Sequence, residues 1–288
     1  MCRAPGGRAR APGDDASGEP RLRESVLRGF RFRLRKRYFD CVGQDGTVFV
    51  GYAARGGIGP LPFHYHATLW RPPLGGGPSD YSVMPSPLPK LSVDGVAWRN
   101  PRLRLDGTWR SRERGPTRVL LDTSAIRVEW RCDVPSAVVD LRVGPDIEMS
   151  GHGYSEELVV SGDIRRLPIR ELHWGRFISE AHHLVWIEWR GPLALTLLFE
   201  DGAEVADAVV SEGEVSYAGG RLHLSDPRSL RDERLGDSVF PGAGWAARLI
   251  PGSVAEWREE KWLSRGCLES SQGPPTEGWA IHERVMMP

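Results

Sequence analysis

Between Gly151 and Phe177 the chain reads GHGYSEELVVSGDIRRLPIRELHWGRF, which gathers His152, Tyr154, Glu156, Glu157, His173, Trp174 and Arg176. A carboxyl group near a phenol, an imidazole and a guanidinium can exchange protons with a bound molecule. Burial would raise the glutamate pKa toward neutrality, and a nearby arginine would lower it. The same residues also suit a structural network, with Glu156 and Arg176 as a buried ion pair and Tyr154 as a core aromatic. If the first stretch is extended, Tyr154, Glu156 and Leu158 share a face and Glu157 points the other way. In ELHWGRF the same alternation sets Leu172 and Trp174 opposite His173.

Other chemistry-bearing residues are more dispersed. His64 and His66 would share one face of a strand, a spacing suited to two metal ligands. A third ligand would have to come from a distant position such as Glu188 or His173, and no metal site is assigned. His182 and His183 would point to opposite faces. Asp40, inside RYFDCV, is expected to face outward, and His282-Glu283 reads as a strand end. The chain has no GxxxxGK[ST] loop, no GxGxxG between a strand and a helix, no GxSxG elbow and no HExxH helix. Kinase, dinucleotide-dependent dehydrogenase, α/β-hydrolase and zincin chemistries are therefore disfavoured.

The elements that would hold these residues are short strands. Lys36 to Tyr52 carries two apolar-aromatic runs around Gln44-Asp45-Gly46, and Asp-Gly between such runs predicts a hairpin. Phe63 to Trp70 alternates, with Phe63, Tyr65, Ala67 and Leu69 on one face. Arg71 to Pro89 is rich in Pro and Gly and predicts a long loop. Strands are expected again at Lys90–Val96, Arg102–Trp109, Thr117–Leu121, Ala125–Cys132 and Ala137–Val143. A spacing of about 10 residues between them points to a sandwich or barrel. The second half is a rough echo of the first: Leu184–Trp189 and Leu193–Phe199 precede another Asp-Gly at Asp201-Gly202. Ala246–Ile250, Val254–Trp262 and Trp279–Val285 follow as further strands. Only Pro227 to Arg234 carries a faint helical signal. The expected fold is thus all-β with little helix. Residues 1–22 form a Gly-, Pro-, Ala- and Arg-rich tail expected to be disordered.

Composition narrows the partners. The 288 residues balance 38 basic against 38 acidic side chains, which argues against nucleic acid, since phosphate binding needs a concentrated basic face. Cys2, Cys41, Cys132 and Cys267 form no close pair, which suits reduced thiols better than a disulfide scaffold or structural zinc. No apolar run reaches the roughly 18 residues needed to cross a bilayer, and no signal-peptide core is visible. A cytoplasmic location is expected, with the oligomeric state left open. Eleven tryptophans, against six tyrosines and eight phenylalanines, supply flat rings that can line an apolar cavity.

Two of these motifs resemble a known family. The run RYFDCVGQDGTVFVGY resembles the opening strand of the lipocalin-like proteins grouped with carotenoid 1,2-hydratase (hydroxyneurosporene synthase). That group is similar to AttH-type proteins, some fungal Diels–Alderases and plant tocopherol cyclase. GHGYSEELVV with the later LHWGRF resembles the family's Gly-x-x-Tyr-His-Asp-x-Asn-Trp-Gly segment. Gly151, Tyr154, Glu156 and Trp174-Gly175 match it, with Ser155 in place of His and Glu156 in place of Asp. The resemblance implies two consecutive lipocalin-like barrels or sandwiches, residues 23–150 and 151–288, around an aromatic cavity. It implies an isoprenoid- or lipid-like apolar ligand, no cofactor, and acid catalysis of alkene hydration or cyclisation. Glu156, Tyr154, His173 and Arg176 form the candidate catalytic set, and Trp174, Trp186, Tyr65 and Phe63 the candidate ligand-binding set. A non-catalytic lipid or pigment carrier is the alternative, and a His-ligated metal enzyme a more remote one.

Overall fold

The computed structural model describes residues 32–111, 113–239, 252–271 and 273–288. The expected tail at 1–22 and the expected strand at Ala246–Ile250 lie outside the described residues.

The chain is all-β. The first sheet takes β1 (Phe32–Val42), β2 (Val48–Ile58), β3 (Leu61–Arg71), β4 (Ser79–Ser82) and β5 (Lys90–Ser92). It continues with β6 (Gly95–Asn100), β7 (Leu105–Arg110), β8 (Thr117–Asp122), β9 (Ile126–Val143) and β10 (Ile147–Gly162). The second takes β11 (Glu171–Ser179), β12 (His183–Arg190), β13 (Leu195–Glu200), β14 (Ala203–Val205) and β15 (Val209–Val210). β16 (Glu214–Tyr217), β17 (Gly220–Arg234), β18 (Arg258–Ser270) and β19 (Thr276–Met286) complete it.

Strand order is β4-β3-β2-β1-β10-β9-β7-β6-β5 in one sheet, with β8 also on β9, and β14-β13-β12-β11-β19-β18-β17-β16-β15 in the other. In both, the first strand pairs with the last and the meander curls around that closure. The echo between the halves is thus a repeat of topology: two consecutive lipocalin-like units. β10 runs unbroken from Ile147 to Gly162, so the change of sheet falls at 163–170, not at 150/151. No described helix is long and apolar enough to cross a membrane.

Among the described residues, three apolar clusters form the core. Phe39, Phe49, Trp98 and Trp109 pack inside the first unit. Phe177, Leu184, Trp186 and Leu198 pack inside the second. Tyr38, Tyr52, Trp130, Trp174 and Trp189 belong to the cluster between the sheets. Most long strands serve two clusters, one on each face, and β9 does so in separate stretches. On β9, Trp130 and Cys132 face the other sheet, but Ala137, Val139 and Leu141 turn into the first unit. Register shifts between Gly153 and Glu156, opposite Val134, change the phase of the ladder there. A bulge adds a residue on one strand and so reverses which face the following side chains take.

Local corrections have physical causes. The two strands expected at 125–132 and 137–143 are one, because Pro135 lies at the irregular step, where a missing N–H is tolerated. The faint helix at Pro227–Arg234 is strand: Pro227 falls in a ladder irregularity between Ser225 and Arg228, and pairing with β18 resumes beyond it. The strand expected at Val254–Trp262 starts later, since Gly252–Ala255 is a helical turn and pairing begins at Arg258. The hairpin at Asp45-Gly46 is present, with Gly46 at φ 81 and the Asp45 carboxylate accepting from Thr47 N at 2.9 Å.

Candidate functional site

Glu156 is the pivot of the inter-sheet layer. It lies on β10 beside Tyr38 of β1 and next to the phase change. Its Oε2 accepts hydrogen bonds from Tyr154 Oη at 2.9 Å, from Trp174 Nε1 of the second sheet at 3.0 Å, and from Trp130 Nε1. Oε1 accepts none from the described residues. Because Oε2 is crowded with donors, the proton of the neutral acid belongs on Oε1. The rings close around it: Tyr38 meets Trp174 edge-on at 5.1 Å, and Tyr154 lies 5.5 Å from Trp174. Burial pushes the Glu156 carboxyl above the usual carboxylate range, against the pull of Trp130, Lys36 and Tyr154.

Glu156 forms part of the wall of a cavity of about 340 Å³ between the sheets. Apolar side chains make most of the lining, among them Phe32, Leu34, Phe63, Tyr65, Ile187 and Trp189. Charged groups on the wall come from both sheets: Lys36, Glu156, Arg231, Glu259 and Glu283. Arg231 Nη1 and Tyr52 Oη each lie 3.4 Å from a Glu259 oxygen. Lys261, behind the lining, pairs with Glu283 and lies 3.5 Å from Glu259, with its ammonium 5.0 Å from the centre of the Tyr38 ring. Burial would raise Glu259 too, but Arg231, Lys261 and Lys36 outweigh it and bring the carboxyl down to about 2. Two carboxyl groups facing one cavity are therefore driven in opposite directions, one toward a neutral acid and one toward a fixed anion. Such divergence is what separates acid from electrostatic roles in a site. Lys36 has no hydrogen-bond or ion-pair partner among the described residues. Its nearest aromatic face is Tyr52, 5.6 Å from the ammonium.

The expected site residues divide by strand face. Tyr154, Glu156 and Trp174 meet, and Phe63 and Tyr65 line the same cavity. Arg176 follows Trp174 on the inter-sheet face but does not touch Glu156. It forks onto Asp40 of the first sheet, with Nη2 and Nε at 2.6 and 3.1 Å from the two carboxylate oxygens. Asp40 is therefore wholly buried rather than outward-facing. A planar fork on a carboxylate explains how two charges sit inside an aromatic layer. His173 lies on the opposite face of β11, with Nε2 3.0 Å from Glu171 Oε1, and so does not join Glu156. Trp186 also faces away from the cavity. It covers Gly175, where an added Cβ would come within 2.1 Å of its ring, and its neighbours Ile187 and Trp189 line the cavity instead. His64 and His66 occupy the face of β3 turned from the cavity. His66 stands opposite Ala53, and the described residues hold no group of three His, Cys, Asp or Glu placed to bind a metal.

Sequence reasoning missed Trp130, Lys36, Tyr52, Arg231, Glu259 and Glu283. Alternation in Arg258–Ser264 did put Glu259, Lys261 and Leu263 on one face, a charged pair beside an apolar residue. Nothing local marked that face as the buried one.

No family model matches the chain, and no curated protein matches it in sequence. Among solved structures it is similar to CghA crystallised with Sch210972, with a TM-score of 0.53 and 12% identity over 89% of each chain. CghA alone gives a TM-score of 0.53 and 13% identity, over 89% of this chain and 88% of that one. A putative AttH from Nitrosomonas europaea aligns over 96% of this chain and 98% of its own, at 8% identity and a TM-score of 0.48. The fold is shared with CghA.

Proposed function

We propose that this chain binds an apolar, isoprenoid- or lipid-like small molecule between its sheets and that Glu156 acts there as a general acid toward an alkene. The observation that carries the reading is a buried carboxyl, raised by burial, in the wall of an aromatic-lined cavity. In the proposed step the Oε1–H bond breaks and a C–H bond forms at the less substituted alkene carbon, leaving a carbocation. The faces of Tyr38, Trp130 and Trp174 offer it negative quadrupole density. In hydration, water adds to the cation and a proton returns to Glu156. In cyclisation, a second alkene within the ligand adds and the resulting cation loses a proton to the same carboxylate. Carotenoid 1,2-hydratase-like hydration is the specific instance that the motif resemblance favours. The crystallisation of CghA with Sch210972 accords with a small-molecule cavity in this fold.

A carrier without chemistry is the second reading, favoured by the three donors on Oε2, since donors to a carboxylate stabilise its ionised form. One experiment separates the two. Apolar ligands extracted from the purified protein are identified by mass spectrometry, and their alkene analogues are incubated with protein in D2O. An acid places deuterium on carbon in the wild type and not in Glu156→Gln, although both bind the ligand. Binding without deuterium incorporation in either protein would leave the carrier.

A further inference from the structure

The other face of β1 carries groups that the cavity does not use. Phe32, Leu34, Lys36 and Tyr38 look toward the second sheet, so Arg35 and Arg37 look away from it. On β2, Arg55 stands directly opposite Arg35, and Ala53 opposite Arg37. On β10, Glu157 stands opposite Arg37 from the other side. Same-face neighbours along a strand are about 7 Å apart and directly opposed Cβ atoms about 5 Å apart. Three guanidinium stems therefore rise from a patch that one small anion can span. Leu88 and Pro89, from the loop before β5, wall the patch into a pocket of about 150 Å³.

The charges here do not balance. Glu157 takes Arg35 Nη2 at 2.9 Å and Arg37 Nε at 3.0 Å, and Arg131 Nη1 lies 3.5 Å away. Burial pushes the Glu157 carboxyl up, but the bonds and charges of Arg35 and Arg37 hold it below its ordinary value. Arg131 is chiefly held by Glu129, at 2.5 Å, so Glu157 serves mainly Arg35 and Arg37, with Asp133 3.7 Å from Arg37 Nε, and Arg55 is the cation left without a counter-charge. Arg55 is exposed and makes no hydrogen bond or ion pair with any described residue. It nevertheless faces Arg35 across the ladder, where like charges repel. Arg37 Nη1 is a buried donor with no partner among the described residues. Beside this row, His66 is fully buried with neither ring nitrogen hydrogen-bonded to a described residue.

We infer that Arg35, Arg37 and Arg55 form a binding pocket for a small oxyanion, a phosphate or carboxylate group, distinct from the inter-sheet cavity. Guanidinium forks match the paired oxygens of such groups, and each bond to them is charge-assisted. An anion between Arg35 and Arg55 would turn a repulsive cross-strand pair into a bridged one and supply an acceptor for Arg37 Nη1. Glu157 then serves as the post that aims the guanidinium edges. The apolar wall of Leu88 and Pro89 leaves space for a short organic remainder beside the anionic head.

The test titrates the full chain with inorganic phosphate and, separately, with acetate, at constant ionic strength set by chloride. Arginine Nε–H resonances report binding in the wild type and in Arg55→Met, whose exposed position keeps the fold out of the comparison. Saturable shifts of Arg35, Arg37 and Arg55 are expected with at least one anion, weakened about tenfold in the variant. Saturation by phosphate or by acetate identifies the head group. Shifts that rise without saturating and match the chloride control, or saturation unchanged by Arg55→Met, would overturn the inference. Glu156→Gln should leave this titration unaltered, so the result does not depend on the cavity's role.

Discussion

Glu156→Gln isolates the property on which the proposed chemistry depends. Glutamine keeps a carbonyl oxygen for Tyr154, Trp130 and Trp174 but cannot ionise. In the wild type the folded-state pKa lies above the unfolded value. Between those two values the folded protein holds a proton that the unfolded chain has released. Stability from this group is therefore full below the unfolded pKa, and falls as pH rises toward the folded one. Each unit of upward displacement costs about 1.4 kcal/mol by the time the group is ionised in both states. For a chain of this size that is roughly 2–4 °C in Tm per kcal/mol. Thermal unfolding of both proteins, followed from about pH 4 to pH 8, should give a difference that grows in the variant's favour and then levels off. The change begins at the unfolded pKa and levels off at the folded one, so its upper end reads the folded carboxyl and its midpoint moves with it, with no substrate needed. Two curves running parallel across the whole range would mean that Glu156 titrates in the ordinary range, and the acid role would be refuted.

Two more outcomes follow from neighbouring charges. Arg176→Met leaves Asp40 buried and unpaired and should cost about 3–5 kcal/mol in denaturant unfolding. Replacing both residues by leucine should recover much of that loss, and equal cost in the single and double variants would contradict the pairing. Lys36→Met removes a charge that holds Glu156 down, so the midpoint of the pH-dependent difference should move upward. An unmoved midpoint would show that the ammonium does not act on the carboxyl.

Strand periodicity carried much of this architecture. The alternation in GHGYSEELVV set Tyr154 and Glu156 together, and that in ELHWGRF set Trp174 against His173, as found. The same argument already told against His173 as a partner of Glu156, whereas the candidate catalytic set retained it. Residues brought together across the sheets were not legible. Arg176 meets Asp40 across 136 positions, and a carboxylate inside an apolar strand ordinarily signals an outward side chain. Glu156 and Trp174 have 17 residues between them because the chain finishes β10, makes a 3₁₀ turn at Ile164–Arg166 and returns in the opposite sheet. Phase changes hid the rest. Pro135 reads locally as a break between strands, and Pro227 as the start of a helix, although both sit where a ladder absorbs an irregular step.

The register shift near Gly153 also bears on how such a protein can diverge. Along β1, β2 and β10, the side chains that shape the cavity and those that fill the first unit's interior occupy opposite faces, and on β9 the shift gives them separate stretches. A lineage could exchange Phe32, Leu34, Leu158 or Val160 for bulkier or smaller residues and reshape the binding space while leaving the Phe39, Trp98 and Trp109 layer intact. Ligand preference and foldability are thereby written in separate sets of positions, so one can drift under selection while the other stays under constraint.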